Sequence, residues 1–200
     1  MAIVKQGSDD IPDCMLNIRV FFQYLLGSML VALLPAVSLA ASIHIVVDTR
    51  DETLSVMRGE KVIRTFEDIA IGRYGKTYFK RKGDNKTPLG SYRIGWINRE
   101  SRYYIFLGLT YPDLPAADRA LQEGRINDSQ WLEIRDAHRA GETPSQLTPL
   151  GGYIGIHGLG NGDLEVHQEY NWTNGCVALT NAQLDELLHY ARIGTRVEIR

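Results

Sequence analysis

Cys176 is the residue whose type and setting most directly invite chemistry. It stands in Asn171-Trp172-Thr173-Asn174-Gly175-Cys176-Val177-Ala178, and His157 lies upstream in Gly155-Ile156-His157-Gly158. A cysteine nucleophile works as its thiolate, and an ordinary thiol ionises near ~8.5. A histidine within hydrogen-bond reach can take that proton. Attack on a carbonyl then creates an oxyanion, which needs backbone N–H donors. Gly175 offers such backbone, with no side chain to crowd the substrate and freedom in φ/ψ. His157 ends a short apolar run, Tyr153-Ile154-Gly155-Ile156, which reads as a strand delivering it to a cleft. His167 is a second candidate base, read as a surface or loop histidine.

Blander chemistry is weighed against this. A free cysteine is often a small buried hydrophobe. Gly-Cys between a polar turn and a strand is not a core setting, so the nucleophile reading is preferred. His157, His167 and Cys176 could also be three zinc ligands, but their spacing matches no familiar zinc pattern and supplies one thiolate. No metal and no cofactor are expected.

The rest of the chain sets the context. It has 200 residues and two cysteines, Cys14 and Cys176. Lysine plus arginine total 22 and aspartate plus glutamate 24, for a net charge of −2. That balance argues against a nucleic-acid partner, which calls for a basic face. Val20 to Leu39 is almost uncharged, and Ser38-Leu39-Ala40 has the small-x-small form of a signal-peptidase site. Residues 1–40 therefore read as a secretory signal peptide, cleaved after Ala40, with residues 41–200 as the mature domain. Residues 1–14 carry three aspartates and one lysine, a poor start for a signal, so Met15 is the expected true start. The apolar run could also be a retained anchor; the cleavage reading leaves no stable membrane span in the mature protein. Exported proteins usually hold their cysteines in disulfides. Cys176 would have no partner there, which again points to use of its thiol.

The elements that must position the site follow from pattern. Ser42 to Ile71 reads as an antiparallel meander of β-branched strands broken by polar turns. Gly72 to Gly90 is a glycine-rich loop holding Lys80-Arg81-Lys82, and it ends in Thr87-Pro88-Leu89-Gly90-Ser91-Tyr92. A helical insertion is expected over about 112–150. It comprises one helix in Pro112 to Gly124 and another over Gln130 to Arg139, capped by Asp128 or Ser129. Thr180-Asn181-Ala182-Gln183 fits a capping box opening a helix with Leu184, Leu187 and Leu188 on its buried stripe. Thr195 to Ile199 reads as a final strand.

Together these residues resemble the L,D-transpeptidase family, whose catalytic domain is called YkuD-type. The family pattern is a histidine, a spacer, then Ser/Thr-His-Gly-Cys, a hydrophobic residue and Asn or Arg. Here fifteen residues, Gly158 to Trp172, separate His157 from Thr173-Asn174-Gly175-Cys176-Val177. Thr87-Pro88-Leu89-Gly90-Ser91-Tyr92 matches a second signature, Thr-Pro-x-Gly before an aromatic. Two positions depart: Asn174 replaces the histidine before glycine, and Ala178 replaces the Asn or Arg. Asn174 cannot serve as a base at neutral pH, and Ala178 removes a substrate contact or scaffold hydrogen bond.

The resemblance implies a mainly β (α+β) fold, a YkuD-like β-sandwich with the helical insertion and a C-terminal helix packed on the sheet. It implies a periplasmic enzyme of a Gram-negative envelope, acting on peptidoglycan stem peptides. Cys176 would attack the diaminopimelate carbonyl and expel D-Ala, leaving a thioester for an amine or an envelope protein to resolve. His157 would be the base, Gly175 part of the oxyanion hole, and Thr173 an orienting residue. Tyr153, Gly158, Tyr170 and Trp172 would bind substrate. Arg73, Lys80 or Arg81 could meet stem carboxylates, although a solvated charge run is the preferred reading. The competing readings are a hydrolase of the same fold, which cleaves wall peptides or releases a wall-linked protein, and a non-catalytic wall-binding protein. A papain-like hydrolase is discounted because its cysteine precedes its histidine.

Overall fold

The computed structural model describes Ala2 and residues 42–200. The expected signal peptide, its cleavage site, Met15 and Cys14 lie outside the described residues. Among the described residues no helix is long and apolar enough to cross a membrane.

The chain begins as the expected meander: β1 (Ile43–Asp48), β2 (Thr53–Arg58) and β3 (Lys61–Phe66), paired antiparallel in that order. Alternation decides which side faces in, since successive strand side chains point to opposite faces. Ile45, Val47, Leu54 and Val56 are fully buried, while the residues between them are half-buried. The glycine-rich loop carries two short strands, β4 (Lys76–Thr77) and β5 (Thr87–Pro88), paired with each other.

The next strand, β6 (Gly90–Ser101), is long enough to serve two neighbours. Its first part pairs with the C-terminal strand β10 (Arg196–Ile199), which runs parallel to β1. Past an irregularity between Ile94 and Trp96 it pairs with β7 (Tyr104–Leu109). From there the sheet continues to β8 (Gly155–His157) and β9 (Val177–Ala178). The full order is β3-β2-β1-β10-β6-β7-β8-β9. Strands on both sides of β6 contribute to a single apolar cluster, which joins Ile45 and Val56 to Leu107, Ile156 and Val177.

Among the described residues four helices interrupt the strands: α1 (Leu114–Gln122), α2 (Asp128–Ala140), α3 (Leu164–Glu169) and α4 (Asn181–Leu187). Helix α2 starts earlier than expected because Asn127, rather than Asp128 or Ser129, is its cap. Asn127 accepts from the Gln130 N–H, and Gln130 returns a bond to the Asn127 N–H. Thr180 and Gln183 close the same reciprocal box on α4, as the sequence indicates. That box places Leu184 and Leu187 fully inside the core. Burying each contributes about 1.5–3 kcal/mol.

Candidate active site

Strands β8 and β9 bring the two chemical residues together. They run parallel, with Ile156 opposite Val177 and His157 opposite Ala178. Cys176 precedes β9 and so lies level with Gly155, two residues before His157 on β8. Strand positions two apart share a face, which sets both side chains on one side of the pair. Both line one cleft of about 310 Å3, with Arg73, Tyr103, Phe106, Trp172 and Asn174 among its other walls.

The histidine is held as a neutral ring. Its Nδ1 lies 2.7 Å from the Gly158 carbonyl oxygen. A carbonyl can only accept, so Nδ1 carries the proton and Nε2 the lone pair. Tyr103 stacks on the ring at 4.4 Å, and Trp172 meets it edge-on at 5.7 Å. Burial among these aromatics pushes the imidazole down to about 4, outweighing the Gly158 hydrogen bond, which favours the charged form.

The thiol is equally reluctant to ionise. Burial pushes it up to about 11, against the Gly155 backbone N–H and the Lys80 charge, both of which favour the thiolate. Sγ donates to the Tyr153 carbonyl at 3.3 Å. Among the described residues no hydrogen bond joins Sγ to His157. The resting site is therefore a neutral thiol beside a neutral imidazole, not the ion pair expected from residue types alone. The Tyr153 carbonyl is aimed at sulfur by a left-handed backbone (φ 53°) and by Gln146, whose Oε1 accepts from the Tyr153 N–H at 2.7 Å. Gln146 also ties back to the Tyr111 and Pro144 carbonyls. The insertion thus touches the site through this one side chain; its two helices do not line the cleft.

The turn before Cys176 is built by Thr173, which is buried. Its Oγ1 donates to the Cys176 carbonyl at 2.7 Å and accepts from the Gly175 N–H at 3.0 Å. The Gly175 N–H is thus already engaged, which corrects its expected place in the oxyanion hole. Glycine is required there for another reason. Its φ is +125°, and a Cβ would lie 2.6 Å from the Lys86 carbonyl oxygen and 2.9 Å from Lys80 Nζ.

Lys80 also departs from expectation. It is not part of a solvated charge run but buried, with Nζ donating to Asp84 Oδ1 at 2.7 Å and to the Lys86 carbonyl at 2.8 Å. This caged ammonium packs against Gly175, and its charge favours the Cys176 thiolate. Arg73 is the basic residue of the expected three that lines the cleft. Asn174 accepts from its Nη2 at 2.6 Å, so the residue standing in for the family histidine orients a guanidinium.

Other expectations divide. Tyr153 and Trp172 line the cleft, whereas Tyr170 caps α3 and points away from it, 62% exposed. Gly158 is buried and serves His157 through its carbonyl rather than touching substrate; a Cβ there would meet Asn181 Oδ1 at 2.7 Å. His167 is not a surface residue. It is buried on α3, and its Nδ1 accepts from Trp172 Nε1 at 3.2 Å. Tyr103 and Phe106, which wall the cleft from β7 and the turn before it, were not singled out from sequence; pairing of β7 with β8 is what places them.

The domain model of the L,D-transpeptidase catalytic domain, YkuD, matches residues 42–199. The chain belongs to that family. No curated protein matches it. Among solved structures, the helical cell shape determining protein Pgp2 of Campylobacter jejuni superposes with a TM-score of 0.52 at 23% identity, covering 80% of this chain and 47% of that one. Bd1075 of Bdellovibrio bacteriovorus gives 0.50 at 19% identity, covering 80% and 48%. The chain thus spans about half the length of these structures, and the likeness is one of fold. Measured against the family pattern, Ala178 is fully buried, bonded on both backbone groups to Ala70. That departure lies in the core, not on a substrate contact.

Proposed function

We propose that this chain is an L,D-transpeptidase-type acyltransferase of the bacterial wall, working through a thioester on Cys176. The observation that carries the reading is the neutral thiol–imidazole pair lining one cleft, with Nε2 of His157 making no hydrogen bond among the described residues. A stem-peptide carbonyl entering the cleft needs Sγ to leave the Tyr153 carbonyl by rotation about its own Cα–Cβ bond. Nε2 then takes the thiol proton as sulfur attacks the diaminopimelate carbonyl. The proton passes to the departing D-Ala amine, so charge is created and consumed within one catalytic cycle. The Cys176 N–H, on the nucleophile itself, is the backbone donor placed to meet the oxyanion. Thr173 holds that turn, and the Arg73–Asn174 pair meets a substrate carboxylate, since guanidinium and carboxylate bond in matching forks.

An amine acceptor (a second stem peptide or an envelope protein) gives transpeptidation, while water gives the carboxypeptidase or protein-releasing reaction. Both resolve the same thioester. A periplasmic site of action and the leader as an export signal complete the proposal. Incubating the chain with disaccharide tetrapeptides and separating products tests it. Wild type should release D-Ala, and Cys176→Ala and His157→Gln should each lose at least ~1000-fold of turnover. Full turnover by Cys176→Ala would remove the nucleophile.

A further inference from the structure

A second cleft lies elsewhere on the domain and shares no lining residue with the first. It encloses about 700 Å3 at the start of β1 and β10, beside the chain that follows α4. Its walls hold Arg58, Arg93, Arg192 and Arg196 with His44 and His189, and among the described residues no aspartate or glutamate lines it. The chain as a whole carries a net charge of −2, so this concentration is local.

The arrangement works against the fold. Arg93 of β6 sits directly opposite Arg196 of β10, and His44 of β1 lies opposite Arg196 on the other side. Directly paired residues project from the same sheet face, and like charges set opposite one another destabilise a sheet. Arg196 is relieved by Glu198 at 3.1 Å. Arg58, Arg93 and Arg192 have no ion pair among the described residues; Arg93 is fixed by donating to the Gly194 carbonyl at 3.0 Å. A local rule broken with only partial internal compensation is a mark of a functional site. The chemistry that this lining complements is that of a multiply charged anion. Arg58, Arg93 and Arg192 line a cleft of ligand size without an ion pair among the described residues, and guanidinium groups match phosphate oxygens bidentately.

We propose that this cleft binds the phosphate oxyanions of a phosphorylated ligand. Two sources share that chemistry, a soluble phosphate ester and the headgroups of an anionic phospholipid surface. Ile193, between two lining residues and 63% exposed, is placed to contact the apolar part of such a lipid. The proposal does not depend on the chemistry at Cys176.

The test uses the full chain and three probes: pyrophosphate, citrate, and vesicles of phosphatidylcholine with or without phosphatidylglycerol. Calorimetry should show pyrophosphate binding more tightly than citrate, or co-sedimentation should show binding only to vesicles containing phosphatidylglycerol. The first result assigns a soluble ligand and the second a lipid surface. The double variant Arg58→Gln/Arg192→Gln should weaken the observed binding by at least ~10-fold, about 1.4 kcal/mol. It should keep the wild-type melting temperature and the wild-type rate on muropeptides. Arg139→Gln, on the exposed face of α2, should change nothing. Absence of binding to both phosphate probes overturns the proposal. So does citrate binding as tightly as pyrophosphate without selective binding to phosphatidylglycerol vesicles, or an equal loss in Arg139→Gln.

Discussion

The resting charge state of Cys176 gives the sharpest prediction. Many cysteine enzymes store a reactive thiolate, and the residue types here invite that assumption. Burial holds the thiol at about 11, roughly two units above an ordinary thiol. Each unit is tenfold in thiolate, so at neutral pH Cys176 should hold roughly 100-fold less than an exposed cysteine. Iodoacetamide, which needs only the thiolate, should alkylate the free protein about 100-fold more slowly than a model thiol at pH 7. The rate should climb tenfold per pH unit and level only towards pH 11. Two neighbours should move that curve in opposite directions. Lys80→Met removes a charge that favours the thiolate and should shift the curve to higher pH. Asp84→Asn leaves the ammonium less neutralised and should shift it to lower pH. Shifts of the same sign would mean that the loop had simply been disturbed. A rate that levels near pH 7, or alkylation as fast as for a model thiol, would refute the neutral pair. A carbapenem, which presents its own acyl carbonyl, should label Cys176 at neutral pH despite slow alkylation.

Further consequences can be measured separately. His157 titrates at about 4 in the fold against 6.5 when unfolded, so the unfolded chain takes up a proton first as pH falls. Stability should therefore drop by about 3 kcal/mol between pH 6.5 and 4, and His157→Gln should remove that portion of the slope in urea melts. Gly175→Ala forces a Cβ to within 2.6 Å of the Lys86 carbonyl at φ +125°. It should cost about 1–3 kcal/mol in stability and most of the turnover, and a variant as stable and active as wild type would contradict the packing described. Leu187→Ala should cost about 2–5 kcal/mol by chemical denaturation, because Leu187 is wholly enclosed. Arg73→Gln should raise KM for stem peptides with little change in kcat, and an effect confined to kcat would argue against carboxylate binding.

Local pattern made much of this molecule legible. The meander of β1 to β3 follows from alternation, and α4 from the Thr180–Gln183 box, because both signals are complete within a few residues. That Cys176 and His157 share a cleft was readable from spacing, since the parallel pairing of β8 with β9 needs only the chain between them. What stayed hidden depends on contacts distant in sequence. Lys80 looks like one of three adjacent surface cations until Asp84 and the Lys86 carbonyl enclose it. His167 sits on a six-residue helix, too short to display a period, and is buried by Trp172. Gly158 and Tyr170 flank the site in sequence, yet one lies inside the core and the other faces solvent. The pairing of Arg93 with Arg196 depends on β10 inserting between β1 and β6, which no local pattern announces.

Intact-protein mass spectrometry of the chain quenched in acid during turnover on disaccharide tetrapeptide tests the central claim most directly. The account predicts an adduct equal to the substrate minus alanine, mapped to Cys176, absent from Cys176→Ala and discharged by an added amine or by water. Turnover with Cys176 unmodified at every quench time, or an adduct on another residue, would contradict it.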